Sequence, residues 1–324
     1  MRSHPTVGHR YAATDHYEVG REKIRDFARA VQDFHPVHWE DTAARALGHP
    51  GLLAPITFAS AVTFPAHRKL MRAALDGYDP AHLLHVEQEI HSSRPVTAGD
   101  RLRHDITVDS RRSTPAGGEL IALTTTIHDD TGALVQTVHT TLAGRDHGSS
   151  PTAETLAMLE LPGPETIRTP PAPEAIDVRT RGSVRRTAVL DLRQGQEFAP
   201  RTVRLTRGEL VHYAGVSGDI NPIHWHDAAA RHAGLEAVAA HGMLTMGLGA
   251  ACLTEWLGRA DRVVAYYVQF ARPVVLAAHR PADVTFRAVV RSIDPVAMRA
   301  TISLTAHYSD TPAFGTASAT VGFV

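Results

Sequence analysis

Asp219 and His224 stand five residues apart in the string GVSGDINPIHW, residues 215–225, and are the pair best suited to chemistry in this chain. A carboxylate and an imidazole that hold one water can take a proton from it and deliver one elsewhere. Such acid–base work is worth roughly 10²–10⁴-fold in rate. The spacing can bring the two together. Thr206 and Glu209 have capping-box spacing, which predicts a helix starting near Thr206 and stopping around Ser217-Gly218. Asn221 precedes Pro222 and is pushed out of helical backbone, so the chain turns there. Asp219 and His224 then flank a tight turn and point into one space. His241-Gly242-Met243 supplies a third part. Gly242 begins a predicted helix over 242–257, where free N–H groups and the helix dipole favour an anion and no side chain blocks close approach. A preorganised donor of this kind is worth about 3–4 kcal/mol to an oxygen gaining charge. The set suits addition or removal of water beside a carbonyl. Asp219 and His224 would be catalytic, and Gly242, Asn221, His241 and Met243 would lie around the substrate.

Taken singly, each residue has a plainer reading. An aspartate after a helix and an Asn-Pro pair are common turn formers, and His224 fits a satisfied core histidine. His224-Trp225-His226 and His35-Pro36-Val37-His38 resemble metal-ligand pairs, but 21 histidines produce such pairs by chance, and no helix-borne HExxH occurs. No metal and no cofactor are expected.

The elements that position these residues occur twice. Residues 27–48 and 213–234 align without a gap at an offset of 186, with ten of 22 positions identical. Asp33 pairs with Asp219 and His38 with His224, so the first copy holds a candidate second site. Two related domains in one chain follow, because the period is far too long for a solenoid. Each window leads into an apolar, helix-like stretch, roughly 55–75 and 242–257, as buried helices require. Gly247 and Gly249 weaken the second helix but allow close packing. Four segments of period-two alternation follow in each half: 83–92, 101–110, 119–129 and 133–144, then 262–271, 282–291, 297–308 and 314–324. The fold class is α+β, each half a long buried helix with an antiparallel sheet. The domains span 1–144 and 183–324. Residues 145–182, with six prolines, form an extended linker that has room for a short helix at 152–161. Arg179, Arg181, Arg185 and Arg186 at its end read as a charged edge; the alternative is a docking patch for an acidic carrier protein.

Composition narrows the function classes. A net charge of −1 gives no field for nucleic acid or an anionic membrane. No run of about 18 apolar residues exists, so no membrane span is expected. The polar start MRSHPTVGHR lacks a signal-peptide core, and cytoplasm is the expected location. The lone Cys252 excludes an internal disulfide framework and cysteine-built metal sites, and among Ala251, Leu253 and Leu248 it reads as a buried core residue.

The string from Tyr213 through Ser217, Gly218, Asp219, Asn221, Pro222, Ile223, His224, Asp227, Ala230 and Gly234 to His241-Gly242-Met243 resembles the MaoC-like hydratase/dehydratase family. With the strand pattern, the resemblance covers about 184–324. It implies a hot-dog fold, hence a double hot-dog here. It implies Asp219 and His224 as the catalytic pair, the Gly242 amide as oxyanion donor, and syn addition of water to a trans-2-enoyl thioester giving the R hydroxyl. The first half looks like a degenerate partner domain that shapes the acyl channel. The whole is similar to a fused two-subunit (3R)-hydroxyacyl-carrier-protein dehydratase of actinobacterial fatty and mycolic acid synthesis. Where the family pattern has His-Gly-Met, the first half has Pro55-Ile56-Thr57, and proline has no N–H to donate. Asp33 and His38 therefore read as remnants or supports. The expected partners are acyl-carrier-protein or acyl-CoA substrates, with one chain equal to one dimer-like unit; a homodimer of such chains is left open. An R-specific enoyl-CoA hydratase, a hot-dog thioesterase and a non-catalytic acyl-thioester binder stand as alternatives.

Overall fold

The computed structural model describes residues 7–64, 83–115, 118–145 and 192–323. The first half contains β1 (Arg10–Ala12), β2 (Tyr17–Glu18), α1 (Arg21–Ala30), a 3-10 turn at Pro36–His38, α2 (Asp41–Ala46) and a second 3-10 turn at Ile56–Phe58. Strands β3 (Leu84–Ser92), β4 (Arg101–Ser113), β5 (Gly118–Asp129) and β6 (Leu134–Arg145) complete it. The second half contains β7 (Arg201–Leu205), α3 (Arg207–Ser217), a 3-10 turn at Pro222–His224, α4 (Asp227–His232) and α5 (Gly242–Leu257). Strands β8 (Val263–Phe270), β9 (Ala282–Asp294), β10 (Arg299–Tyr308), β11 (Thr311–Pro312) and β12 (Phe314–Gly322) follow.

The sequence repeat is a structural repeat. Arg21 and Arg207 open equivalent helices, Pro36 and Pro222 equivalent turns, and Asp41 and Asp227 equivalent short helices, all at the offset of 186. Thr206 and Glu209 form the predicted capping box, and Gly218 ends α3 in the left-handed conformation at φ 80°. Its counterpart Gln32 takes φ 54° despite its Cβ, a conformation costing about 1–2 kcal/mol. The Gln32 side-chain amide donates to the Arg204 carbonyl at 3.2 Å and to Glu209 at 2.8 Å, so the strained turn ties the first half to the α3 cap.

One sheet runs through both halves, in the order β1-β4-β5-β6-β3-β8-β12-β10-β9-β7, with β2 on β4 and β11 on β10. The seam is the antiparallel β3–β8 pair, Glu87 opposite Gln269 through His91 opposite Ala265. Across it, Glu87 accepts from the Tyr267 hydroxyl at 3.3 Å and the Gln269 amide at 3.2 Å. Helix α5 spans the residues predicted for it and is buried on nearly every side. Its glycines let it approach closely. A Cβ on Gly247 would lie 2.5 Å from Val31 Cγ1, and one on Gly249 2.4 Å from the Tyr266 hydroxyl. In the first half the helix expected over 55–75 begins instead with the 3-10 turn; helical backbone covers 59–64. The remainder of that stretch, the linker, its candidate helix and the arginine cluster lie outside the described residues. Among the described residues no helix is long and apolar enough to cross a membrane.

Candidate active site

The site is built by a chain of local hydrogen bonds after α3. The Ser217 hydroxyl donates to the Tyr213 carbonyl at 2.7 Å and accepts the Asp219 N–H at 3.1 Å. Asp219 Oδ1 accepts the Asn221 N–H at 3.3 Å, and Asn221 Oδ1 accepts the Ile223 N–H at 3.3 Å, capping the 3-10 turn that carries His224. These side-chain-to-backbone bonds are the usual way such residues fix a turn. They leave Asp219 Oδ2 free to face His224 Nε2, 4.0 Å away. The other ring nitrogen, Nδ1, sits 2.8 Å from the Ala239 carbonyl. A carbonyl accepts only, so Nδ1 carries the proton and Nε2 presents a lone pair to Asp219. A 4.0 Å gap is too long for a direct hydrogen bond and suits a bridging water.

His241 braces the pair. Its Nε2 donates to the Asp219 carbonyl at 3.1 Å, and its ring stacks on His224 with centroids 3.7 Å apart at 26°. Burial pushes the His224 pKa below the usual imidazole value, and the Asp219 charge partly opposes it. Burial also holds His241 well below that value, helped by repulsion from His224. Both rings are therefore neutral near pH 7. His241 is the N-cap of α5, and Gly242 is its first residue. The opening amides of α5 have no carbonyl one turn back to bond. The Phe270 ring lies over Gly242, 3.4 Å from where a Cβ would stand.

Asp219, His224, His241 and Gly242 are thus brought together as the sequence predicts. Asn221 acts as a cap, its Oδ1 occupied, and Met243 is buried in the core at 3% exposure. The first-half pair has the same frame, with His38 Nδ1 2.6 Å from the Leu53 carbonyl. Its differences are chemical. His38 Nε2 lies only 3.2 Å from Asp33 Oδ2, and these side chains are 0% and 4% exposed, against 9% and 12% for His224 and Asp219. There is neither a gap for water nor a glycine helix start beside them. Asp219, His224 and His241 also place one ligand atom each within 4.8 Å of one another, a donor set that an ion could use. This set is hidden from the spacing of histidines along the chain, because His241 comes from a different element than Asp219 and His224.

One neighbour is not anticipated by the sequence. His85, from β3 of the first half, feels the charges of Asp219 and His224 and in turn acts on His241. Its ring packs against Phe64, 6.0 Å between centroids. The alternation of strand residues assigns it to the same face as Glu87 and Glu89; a bulge places it on the other.

Both halves of the chain resemble known proteins. Residues 5–138 match the FAS1-like dehydratase domain region, and residues 191–308 match the MaoC like domain. A solved structure of a MaoC-like dehydratase is 39% identical, with a TM-score of 0.87 over 98% of each chain. A Mycobacterium tuberculosis protein with a double hot-dog fold superimposes with a TM-score of 0.66 at 14% identity, over 98% of this chain and 96% of that one. A UPF0336 protein of Streptomyces griseus is 43% identical over 139 residues, 43% of this chain and 92% of that protein. The chain belongs to the MaoC-like dehydratase family and carries it as a double hot-dog, with a FAS1-like dehydratase region ahead of the MaoC-like domain.

Proposed function

We propose that this protein is a hydro-lyase that interconverts (3R)-hydroxyacyl and trans-2-enoyl thioesters, with the acyl group borne by a carrier protein during fatty-acid-type elongation. The 4.0 Å gap between His224 Nε2 and Asp219 Oδ2, at the start of α5, carries this reading. In the hydration direction, a water in that gap loses a proton to Nε2 while its oxygen bonds to carbon 3. The carbon 2–3 double bond opens and charge gathers on the thioester oxygen, facing the Gly242 amide. The proton held by the Asp219–His224 pair then goes to carbon 2. Dehydration is the reverse, and no cofactor enters. Asp33 and His38 serve as a support for the first half.

Loss of enoyl absorbance on adding protein to a trans-2-enoyl thioester is the assay. Asp219→Asn is expected to lower kcat about 10²–10⁴-fold, while Asp33→Asn stays near wild type. A loss of only about half in each variant would mean two working sites, and full activity in Asp219→Asn would overturn the mechanism. Matched acyl-CoA and acyl-carrier substrates separate the two handles: a strong CoA preference replaces the carrier reading with an R-specific enoyl-CoA hydratase. Release of free thiol without hydration would instead make the protein a thioesterase. Activity is expected to survive a chelator; loss restored by a divalent ion would assign Asp219, His224 and His241 to a metal.

A further inference from the structure

The inner faces of the two half-sheets differ in kind. In the second half, β9 buries Ala282, Val284, Phe286, Ala288 and Val290, and β10 buries Ala300, Ile302, Leu304 and Ala306. Nothing polar projects from either row. In the first half, Gln88 on β3 and Thr140 on β6 are directly opposite each other and are 4% and 3% exposed. Gln88 Oε1 and Thr140 Oγ1 are buried and have no hydrogen-bond partner among the described residues. Buried polar atoms left unpaired oppose folding and call for an explanation.

The strip leads to the catalytic pair. Along β3 and β6 the register shifts between His85 and Glu87: Glu87 faces Thr141, while His85 faces Leu142. Opposed residues share a face, and Leu142 belongs to the buried core. The extra residue, Val86, therefore swings His85 from the side of Glu87 to the inner side, next along from Gln88 and Thr140. Re-aiming a side chain is what bulges beside functional sites do. His85 in turn lies within electrostatic reach of Asp219 and His224. Gln88 is also opposite Val268 of β8, the strand whose Phe270 covers Gly242. His85 and the Gln88–Thr140 pair are one two-residue strand step apart, about 7 Å.

We propose that His85, Gln88 and Thr140 form a polar acyl subsite, and that the preferred substrates carry a hydroxyl group on the acyl chain several carbons beyond carbon 3. This rests on the thioester reading above. The carrier or CoA end of a thioester must reach solvent, so a nearly sealed position can take only the acyl end. Gln88 Oε1 needs a donor, and Thr140 Oγ1 can give or accept; a hydroxyl satisfies both, whereas an alkyl chain satisfies neither.

The test is a calorimetric binding series on the full-length Asp219→Asn protein, which holds ligand without turning it over. The probes are unreactive acyl-pantetheine thioethers of one chain length, either plain or with a hydroxyl or a keto group at carbon 5, 7 or 9. One hydroxylated probe is expected to bind about tenfold more tightly than the plain one. In Thr140→Val and Gln88→Leu backgrounds the ratio should fall to about one, and Thr140→Ser should keep it. Equal or weaker binding of every hydroxylated probe, or a ratio unmoved by Thr140→Val, overturns the subsite. A keto probe that outbinds the hydroxyl overturns the assignment of a donor group to Gln88 Oε1. Wild-type turnover of plain enoyl thioesters reads the proposed reaction separately, so loss of one conclusion is distinguishable from loss of the other.

Discussion

At the scale of residues, the chemistry depends on which imidazole nitrogen holds the proton. The Ala239 carbonyl fixes it on His224 Nδ1 and leaves Nε2 with the lone pair that the proposed mechanism uses as its base. Burial makes that ring harder to protonate, and the Asp219 charge works against burial. The acid limb of kcat/KM for hydration should therefore lie below pH 6.5, where an ordinary histidine would place it. Asp219→Asn removes the charge that raises the His224 pKa, so the limb of the residual activity should move to lower pH. A pH–rate profile of both proteins checks this. A limb that stays put or moves up would show that Asp219 does not act on His224. His241 has a different part: it holds the Asp219 carbonyl and stacks on the base, which makes it a positioning residue.

At the scale of elements, α5 approaches the first half at Gly247 more closely than any side chain would allow. Alanine there improves helix propensity by up to about 1 kcal/mol but drives its Cβ to 2.5 Å from Val31 Cγ1. Overpacking costs about 1–3 kcal/mol, so Gly247→Ala should be destabilising by about 1–2 kcal/mol. Gly215 on α3 has open space around its Cβ position, and Gly215→Ala should be neutral or stabilising. Denaturant midpoints for the pair test the contrast; equal behaviour would mean that α5 has room to shift. Much of this layer is legible in the sequence. Local signals such as Thr206 with Glu209, Asn221-Pro222 and Gly218 fix the bounds of α3 and the His224 turn, and the offset of 186 carries them to the first half. What is not legible depends on partners distant in sequence. The bulge at Val86 follows from pairing with β6 and overturns the alternation that would turn His85 outward. Gln32 adopts a glycine's conformation because Arg204 and Glu209 hold its side chain. Three-residue β1 and two-residue β2 are too short for a periodic signal, and only their pairing with β4 makes them strands.

At the scale of the whole molecule, one sheet joined through β3 and β8 runs through both halves, and each half buries histidines. Burial lowers the pKa values of His85, His104, His224 and His241. Neither ring nitrogen of His104 has a hydrogen-bond partner among the described residues. For each of these the unfolded chain, with a pKa near 6.5, binds a proton that the folded chain refuses. The unfolded state therefore holds more protons once the pH drops below about 6.5, and folding stability is lost as pH falls through that window. The slope is up to about 1.4 kcal/mol per pH unit for each buried ring. Carboxylates act in a lower window. Asp261, beside Arg259 and His49, has its pKa depressed, so its stabilisation is present above about pH 4 and is lost below. The unfolding free energy should thus decline in two stages on acidification, the first between pH 6.5 and 5. His104→Leu should flatten the first stage by up to about 1.4 kcal/mol per pH unit and leave the second in place. Denaturant titrations at half-unit pH steps measure both slopes. A first stage that is flat in the wild type, or unchanged by His104→Leu, would mean that these rings are hydrated enough to titrate as ordinary histidines, and that the interior of the double sheet is wetter than its packing indicates.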